Sequence, residues 1–229
     1  ASITNGNSSM IIVGQNCEIK NMVINLADSG TSSNSNAIYS LNKSNVVIDN
    51  CIITCSSNIT TTDMTSGIYM NGGNNNSITN NKFNFNSYTL LGTLNTISIS
   101  NTTPILTNNL IDILTPNTTL TTGIELNNCI GTDSITDKLY IENLTLSNNY
   151  YNTVSGGINT GIRVTDTSLV IKNSEIEVSN DPSLTTNYGI SFLSTNPTLP
   201  YIGNTTSNVI SFITTKVGIV GVNTINSSN

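Results

Sequence analysis

The chain has 229 residues, a length that suits one domain or one elongated repeat array. Asn, Thr and Ser make up about 45% of it, only 9% of residues are charged, and seven Lys+Arg against thirteen Asp+Glu give a net charge of −6. The absence of His and Trp removes every chemistry that needs an imidazole, and the acidic balance leaves no electrostatic footprint for nucleic acid and no basic face for anionic lipid.

No apolar run approaches the roughly 18–20 residues of a membrane span, so no membrane insertion is expected. The start, Ala1-Ser2-Ile3-Thr4-Asn5, lacks the basic and apolar regions of a signal peptide. A polar, low-complexity chain often stays disordered. Here 36% hydrophobic residues and a mean hydropathy near zero, with Ile spread evenly along the chain, argue for a buried interior.

From the N-terminus onward a small residue followed by Ile recurs as Ala37-Ile38, Gly67-Ile68, Thr96-Ile97, Gly123-Ile124, Gly161-Ile162, Gly189-Ile190 and Gly218-Ile219, with Ile spacings of 30, 29, 27, 38, 28 and 29 residues. A second landmark, apolar-x-Asn-x-x-apolar, places Asn21, Asn50, Asn80, Asn108, Asn143 and Asn173 at spacings of 29, 30, 28, 35 and 30 residues. A half-copy follows at Ile202-Asn204. Two landmarks advancing in phase mark a repeat architecture of about 29 residues.

Inside each repeat the apolar period is two. Ile68-Tyr69-Met70, Ile97-Ser98-Ile99, Ile124-Glu125-Leu126 and Ile162-Arg163-Val164 alternate, as do Phe83-Asn84-Phe85, Ile111-Asp112-Ile113 and Ile176-Glu177-Val178. These read as short strands with one buried face. Runs such as Asn71-Gly72-Gly73-Asn74 carry turn chemistry. No segment reads as a helix. Two or three strands per repeat, each pairing in parallel with its counterpart one lap on, make a β-solenoid.

The recurring apolar-x-Asn-x-x-apolar unit resembles the repeat of right-handed parallel β-helix proteins, the pectate-lyase-like superfamily, over most of the chain from about Met10 to Val222. The resemblance implies an all-β, single-stranded right-handed parallel β-helix of about seven rungs, with residues 1–229 forming one domain. That superfamily mixes polysaccharide lyases and hydrolases with tailspikes, adhesins and passive virion parts. An Asn tolerates the left-handed angles of a sharp corner, and its amide both donates and accepts. Asn21, Asn50, Asn80, Asn108, Asn143, Asn173 and Asn204 are therefore expected to line one inner corner as a structural ladder.

Outward positions should also stack into rows. One reads Lys20, Asp49, Thr79, Thr107, Glu142, Lys172, Gly203; another reads Tyr39, Tyr69, Ser98, Glu125, Arg163, Ser191, Val220. The pairs Lys20–Asp49, Glu142–Lys172 and Glu125–Arg163 are the apposed charges that cross-strand stabilisation calls for. The fifth repeat is the irregular one. Seventeen residues separate Ile124 from Ile141, leaving a surplus loop with Asp133 and Asp137 between Glu125 and Glu142, while the sole Arg, Arg163, stands one lap on. Glu125, Asp133, Asp137, Glu142 and Arg163 are the candidate catalytic residues: a glycosidase needs two carboxylates about 5–10 Å apart, and a Ca²⁺-assisted lyase needs clustered acidic oxygens and a base. No superfamily catalytic signature maps onto the chain, and no cofactor or resident metal is expected.

Cys51 and Cys55 lack zinc-knuckle spacing, and free buried thiols are expected over disulfides. Nine Asn-x-Ser/Thr sequons, at Asn7, Asn42, Asn58, Asn75, Asn101, Asn117, Asn143, Asn204 and Asn226, are what so Asn-rich a composition produces. Asn143 is expected to be a poor acceptor from an inner corner. The favoured reading is a non-enzymatic structural or adhesive rod on a virion or cell surface. Its unfinished C-terminal end is expected to meet another subunit, and its polar skin suits weak glycan contacts. A lyase or hydrolase, and a glycan-binding module without catalysis, are the alternatives.

Overall fold

Alternation of period two leaves each strand with one apolar face, and a repeat of constant length stacks those faces lap over lap. The computed structural model describes residues 9–26, 35–55, 64–86, 92–116, 120–129, 139–151, 157–167, 169–180, 185–193, 210–213, 216–220 and 223–228. Each lap contributes three strands. The first lap holds β1 (Ile11–Ile12), β2 (Glu18–Lys20) and β3 (Val23–Leu26), and the second β4 (Ser35–Leu41), β5 (Val47–Asp49) and β6 (Ile52–Cys55). The third holds β7 (Met64–Asn71), β8 (Asn76–Thr79) and β9 (Lys82–Asn86), and the fourth β10 (Thr93–Ser100), β11 (Pro104–Thr107) and β12 (Leu110–Pro116). There follow β13 (Leu120–Asn127), β14 (Leu139–Glu142) and β15 (Thr145–Tyr151), then β16 (Gly157–Thr165), β17 (Leu169–Lys172) and β18 (Glu175–Asn180). The chain ends on β19 (Thr185–Leu193), β20 (Ile210–Ile213), β21 (Lys216–Val220) and β22 (Asn223–Ser228).

Every strand pairs in parallel with the strand three places on. The result is a first sheet of eight strands from β1 to β22, a second of seven from β2 to β20, and a third of seven from β3 to β21. The protein is an all-β parallel β-solenoid, and no helix occurs among the described residues. Its regular part amounts to about four turns, in which Ile11, Ile38, Ile68, Ile97 and Ile124 are successive Cα partners. Seven equal rungs are not what forms. The lap from Ile124 to Ile162 carries the insertion, and beyond it parallel pairing continues with a register shift between Tyr188 and Ser191.

The last repeat is also out of its expected phase. Gly218-Ile219 lies in β21 of the third sheet, where Ile219 pairs with Val178, instead of stacking on Ile190. In the second sheet Phe212 is the partner of Ile171 and Ile213 that of Lys172, while Gly203 lies outside the described residues. Asn226, not Val220, follows Ser191 in the first sheet. The parallel register falls instead on Ile210-Ser211-Phe212 and Val217-Gly218-Ile219, further along the chain than the landmarks indicate. Asn204 lies outside the described residues.

Aliphatic stacks fill the interior. Ile38, Ile68, Ile97, Ile124, Ile162 and Ile190 are buried, as are Phe83 with Ile111 and Phe85 with Ile113 on the opposing third sheet. A buried Ile contributes about 1.5–3 kcal/mol, which lets the solenoid form with few aromatics. The small residue before each Ile has a physical cause. A Cβ at Gly161 would stand 2.5 Å from Gly189 O and 2.7 Å from Ile176 Cγ2, and one at Gly67 would stand 2.7 Å from Thr96 O. Around this position consecutive residues of the first sheet are buried, as from Leu94 to Ile99.

The Asn ladder occupies the outside of its corner, a correction to the inner placement. Asn21, Asn50, Asn80, Asn108, Asn143 and Asn173 all have φ between 49° and 58° and are exposed. The left-handed residue swings its side chain outward and turns the next one in, burying Cys51, Asn81, Asn109, Leu144 and Ser174. Asn50 Nδ2 donates to Asn21 Oδ1 at 2.7 Å, Asn108 to Asn80 at 3.0 Å and Asn143 to Asn108 at 2.8 Å. Asn80 breaks the series by donating to Asp49 Oδ1 at 2.7 Å. A second, buried set lies behind it: Asn81 Nδ2 donates to Ile48 O, Asn109 Nδ2 to Ile78 O, and Asn109 Oδ1 accepts from Asn81 N. All four cysteines are free, Cys17 half-buried and the others buried. Burial pushes the Cys129 thiol up to about 11.

Candidate functional site

Glu125 of β13 is a point where several side chains of the first sheet converge. Asn95 and Ser98, three residues apart and both buried, reach the same carboxylate oxygen. Asn95 Nδ2 donates to Glu125 Oε2 at 2.7 Å and Ser98 Oγ to the same oxygen at 3.1 Å. Arg163, registered with Glu125 by β13–β16 pairing, brings Nη1 to 3.8 Å from Oε1. Both oxygens of Glu125 are thus engaged by its own sheet. Below it in the same row Tyr39 and Tyr69 stack with ring centroids 5.3 Å apart.

Glu142 belongs to the second sheet. Its Oε1 lies 3.2 Å from Lys172 Nζ, which also sits 4.5 Å from the centre of the Tyr140 ring. The structure therefore brings Glu125 and Arg163 together and assigns Glu142 to another sheet with another cation. Asp133 and Asp137 lie outside the described residues. The expected Lys20–Asp49 pair does not form as an ion pair. Lys20 Nζ turns to Glu18 Oε2 on its own strand at 2.9 Å, and that hydrogen bond, with the charge behind it, raises the Lys20 pKa. Asp49 instead accepts from Asn80 Nδ2 and from Thr79 Oγ1 at 2.8 Å, and these bonds, Asn80 first, hold its carboxyl below the usual value.

Asn95 is the residue of this cluster that sequence reasoning missed. Strict alternation puts it on a different face from Ser98, yet both are buried and reach the same Glu125 oxygen. The sequon residues Asn42, Asn75, Asn101 and Asn143 are exposed corner residues with positive φ, so Asn143 is not the inaccessible acceptor expected. Asn7, Asn58, Asn117 and Asn204 lie outside the described residues.

Among the described residues no three His, Cys, Asp or Glu side chains are grouped to hold a metal ion, and no helix is long and apolar enough to cross a membrane. No protein-family model, curated protein or solved structure matches the chain.

Proposed function

We propose that the chain is a non-enzymatic structural or surface protein: a rod of a virion, capsid- or fibre-associated, or an adhesin-like element of a cell surface. On this reading it is a right-handed coil, similar to the pectate-lyase-like superfamily, and residues 1–229 act as one domain. Its partners are other subunits of the assembly, met through the C-terminal end. The observation that carries the reading is the state of the described carboxylates. Glu125 is held by Asn95, Ser98 and Arg163, and Glu142 by Lys172. Each serves lap-to-lap cohesion, worth up to about 1 kcal/mol for a partly exposed pair, and among the described residues neither is presented beside a second free carboxylate.

A panel of acidic and neutral polysaccharides, with and without Ca²⁺, should give no product, while the protein should be found in purified particles or in the surface fraction. Turnover that disappears in Glu125→Gln or Asp137→Asn would contradict the proposal. A glycan-binding module without catalysis is the second reading, favoured by the stacked Tyr39–Tyr69 pair beside hydrogen-bonding side chains. It predicts saturable binding on a glycan array, lowered by Tyr69→Ala.

A further inference from the structure

The outer face of the third sheet mixes exposed apolar and polar side chains. Four of the nine exposed large apolar side chains among the described residues lie on it: Val23, Ile52, Leu110 and Leu114. Parallel register arranges this face as columns. One runs Val23, Ile52, Lys82, Leu110, Thr145, Glu175. The next runs Asn25, Thr54, Asn84, Asp112, Ser147, Glu177, and Asn86 with Leu114 begin a third. At its middle, Lys82, Asn84, Asn86, Asp112 and Leu114 border a depression of about 560 Å³. Neither Lys82 nor Asp112 takes part in an ion pair among the described residues.

We infer that this face binds a second copy of the chain, with the two rods antiparallel and a two-fold axis passing between β9 and β12. The second column is self-complementary in that arrangement. The axis lays Asn84 over Asp112 of the second copy, Thr54 over Ser147 and Asn25 over Glu177, so each acid of that column meets an amide, while in the first column Ile52 lies over Thr145 and Val23 over Glu175. Lys82 comes beside Asp112 of the second copy, and the reciprocal contact completes two crossed ion pairs. Leu110 lies over the aliphatic stem of Lys82 and Leu114 over Asn86, entering the depression from the other side. Parallel rods are disfavoured by charge: they would set Asp112 against Asp112 and Glu177 against Glu177.

Six laps at about 4.8 Å and three outward columns give a projected contact on the order of 400 Å² per copy, below the standard size of a stable interface. The dimer is therefore a weak one. This inference does not depend on the functional proposal above, since the face pairs whether or not the rod is an enzyme.

Sedimentation of the full chain from about 5 to 500 μM tests it. The wild type should move from monomer to dimer across that range, and Asp112→Lys should weaken the dimer at least about tenfold. The double exchange Lys82→Asp with Asp112→Lys should return the constant to within about threefold of wild type. These side chains are exposed, and circular dichroism verifies that each variant stays folded. A monomer throughout, a dimer indifferent to Asp112→Lys, or a loss the double exchange does not repair would each overturn the inference.

Discussion

Gly161→Ala tests why the repeat needs a small residue before each Ile. The added Cβ would stand 2.5 Å from Gly189 O, 2.7 Å from Ile176 Cγ2 and 3.2 Å from Val178 Cγ2. Carbon and carbonyl oxygen normally approach to about 3.3–3.6 Å, so close to 1 Å must open between β16 and the backbone of β19. The methyls of Ile176 and Val178 have rotamers to yield, but the carbonyl of the next lap can move only with its strand. Overpacking costs about 1–3 kcal/mol, and the lower unfolded-state entropy of Ala returns about 0.4–1 kcal/mol. Because backbone is the obstacle, the net loss should be about 2 kcal/mol. Gly14→Ala is the control, since a Cβ there meets nothing within 4 Å; it should be neutral or stabilising by up to about 1 kcal/mol. Urea denaturation of both variants gives the difference. Hydrogen exchange of the β19 amides localises it, which matters because a solenoid need not unfold as one unit. If the two substitutions agree within about 0.5 kcal/mol, the close approach of the next lap's backbone is not what selects glycine.

Asn108→Ala should cost about 2 kcal/mol in thermal or urea unfolding, from a left-handed φ of 56° and the lost amide bonds to Asn80 and Asn143. Asn108→Gly should lose less than half as much, because only the bonds go. Asp49 has a folded-state pKa below its ordinary value of 3.8, so its contribution is present above that value and is lost as pH falls through the lower, folded one. Acid titration of stability should show a shallower decline below about pH 4 in Asp49→Asn than in the wild type. A thiol reagent at pH 8 should modify Cys17 quickly in the native protein and reach Cys51, Cys55 and Cys129 only on unfolding, given their burial and the raised pKa of Cys51 and Cys129.

The fold was legible where residues alternate. Ile68, Ile97 and Ile124 carry both the small-residue landmark and an apolar–polar–apolar strand, and their parallel register follows from equal spacing. The corner asparagines were legible as corners, because few other residues accept φ near +55°. Which way they point was not, since a left-handed residue reverses the inward–outward count and hands the interior to Asn81 and Asn109. The last lap misled because its landmarks are short matches in an Asn- and Ile-rich stretch, and Phe212, outside any landmark, holds the second-sheet register. At the candidate site, Glu125–Arg163 was legible from lap spacing. Asn95 was not, because continuous burial from Leu94 to Ile99 suspends the period-two rule that assigns faces. Lys20 chose Glu18 over Asp49 because a partner on its own strand is reachable at 2.9 Å while Asp49 already has Thr79 and Asn80.

The coiling of the chain is tested most directly by methyl-to-methyl nuclear Overhauser effects in a sample labelled at isoleucine δ-methyl groups. Adjacent laps lie about 4.8 Å apart and alternate laps about twice that. The account predicts strong cross-peaks linking Ile38 to Ile68, Ile68 to Ile97 and Ile97 to Ile124, and weak or no peaks between Ile38 and Ile97. Cross-peaks joining these isoleucines in any other order, or none at all between Ile68 and Ile97, would contradict it.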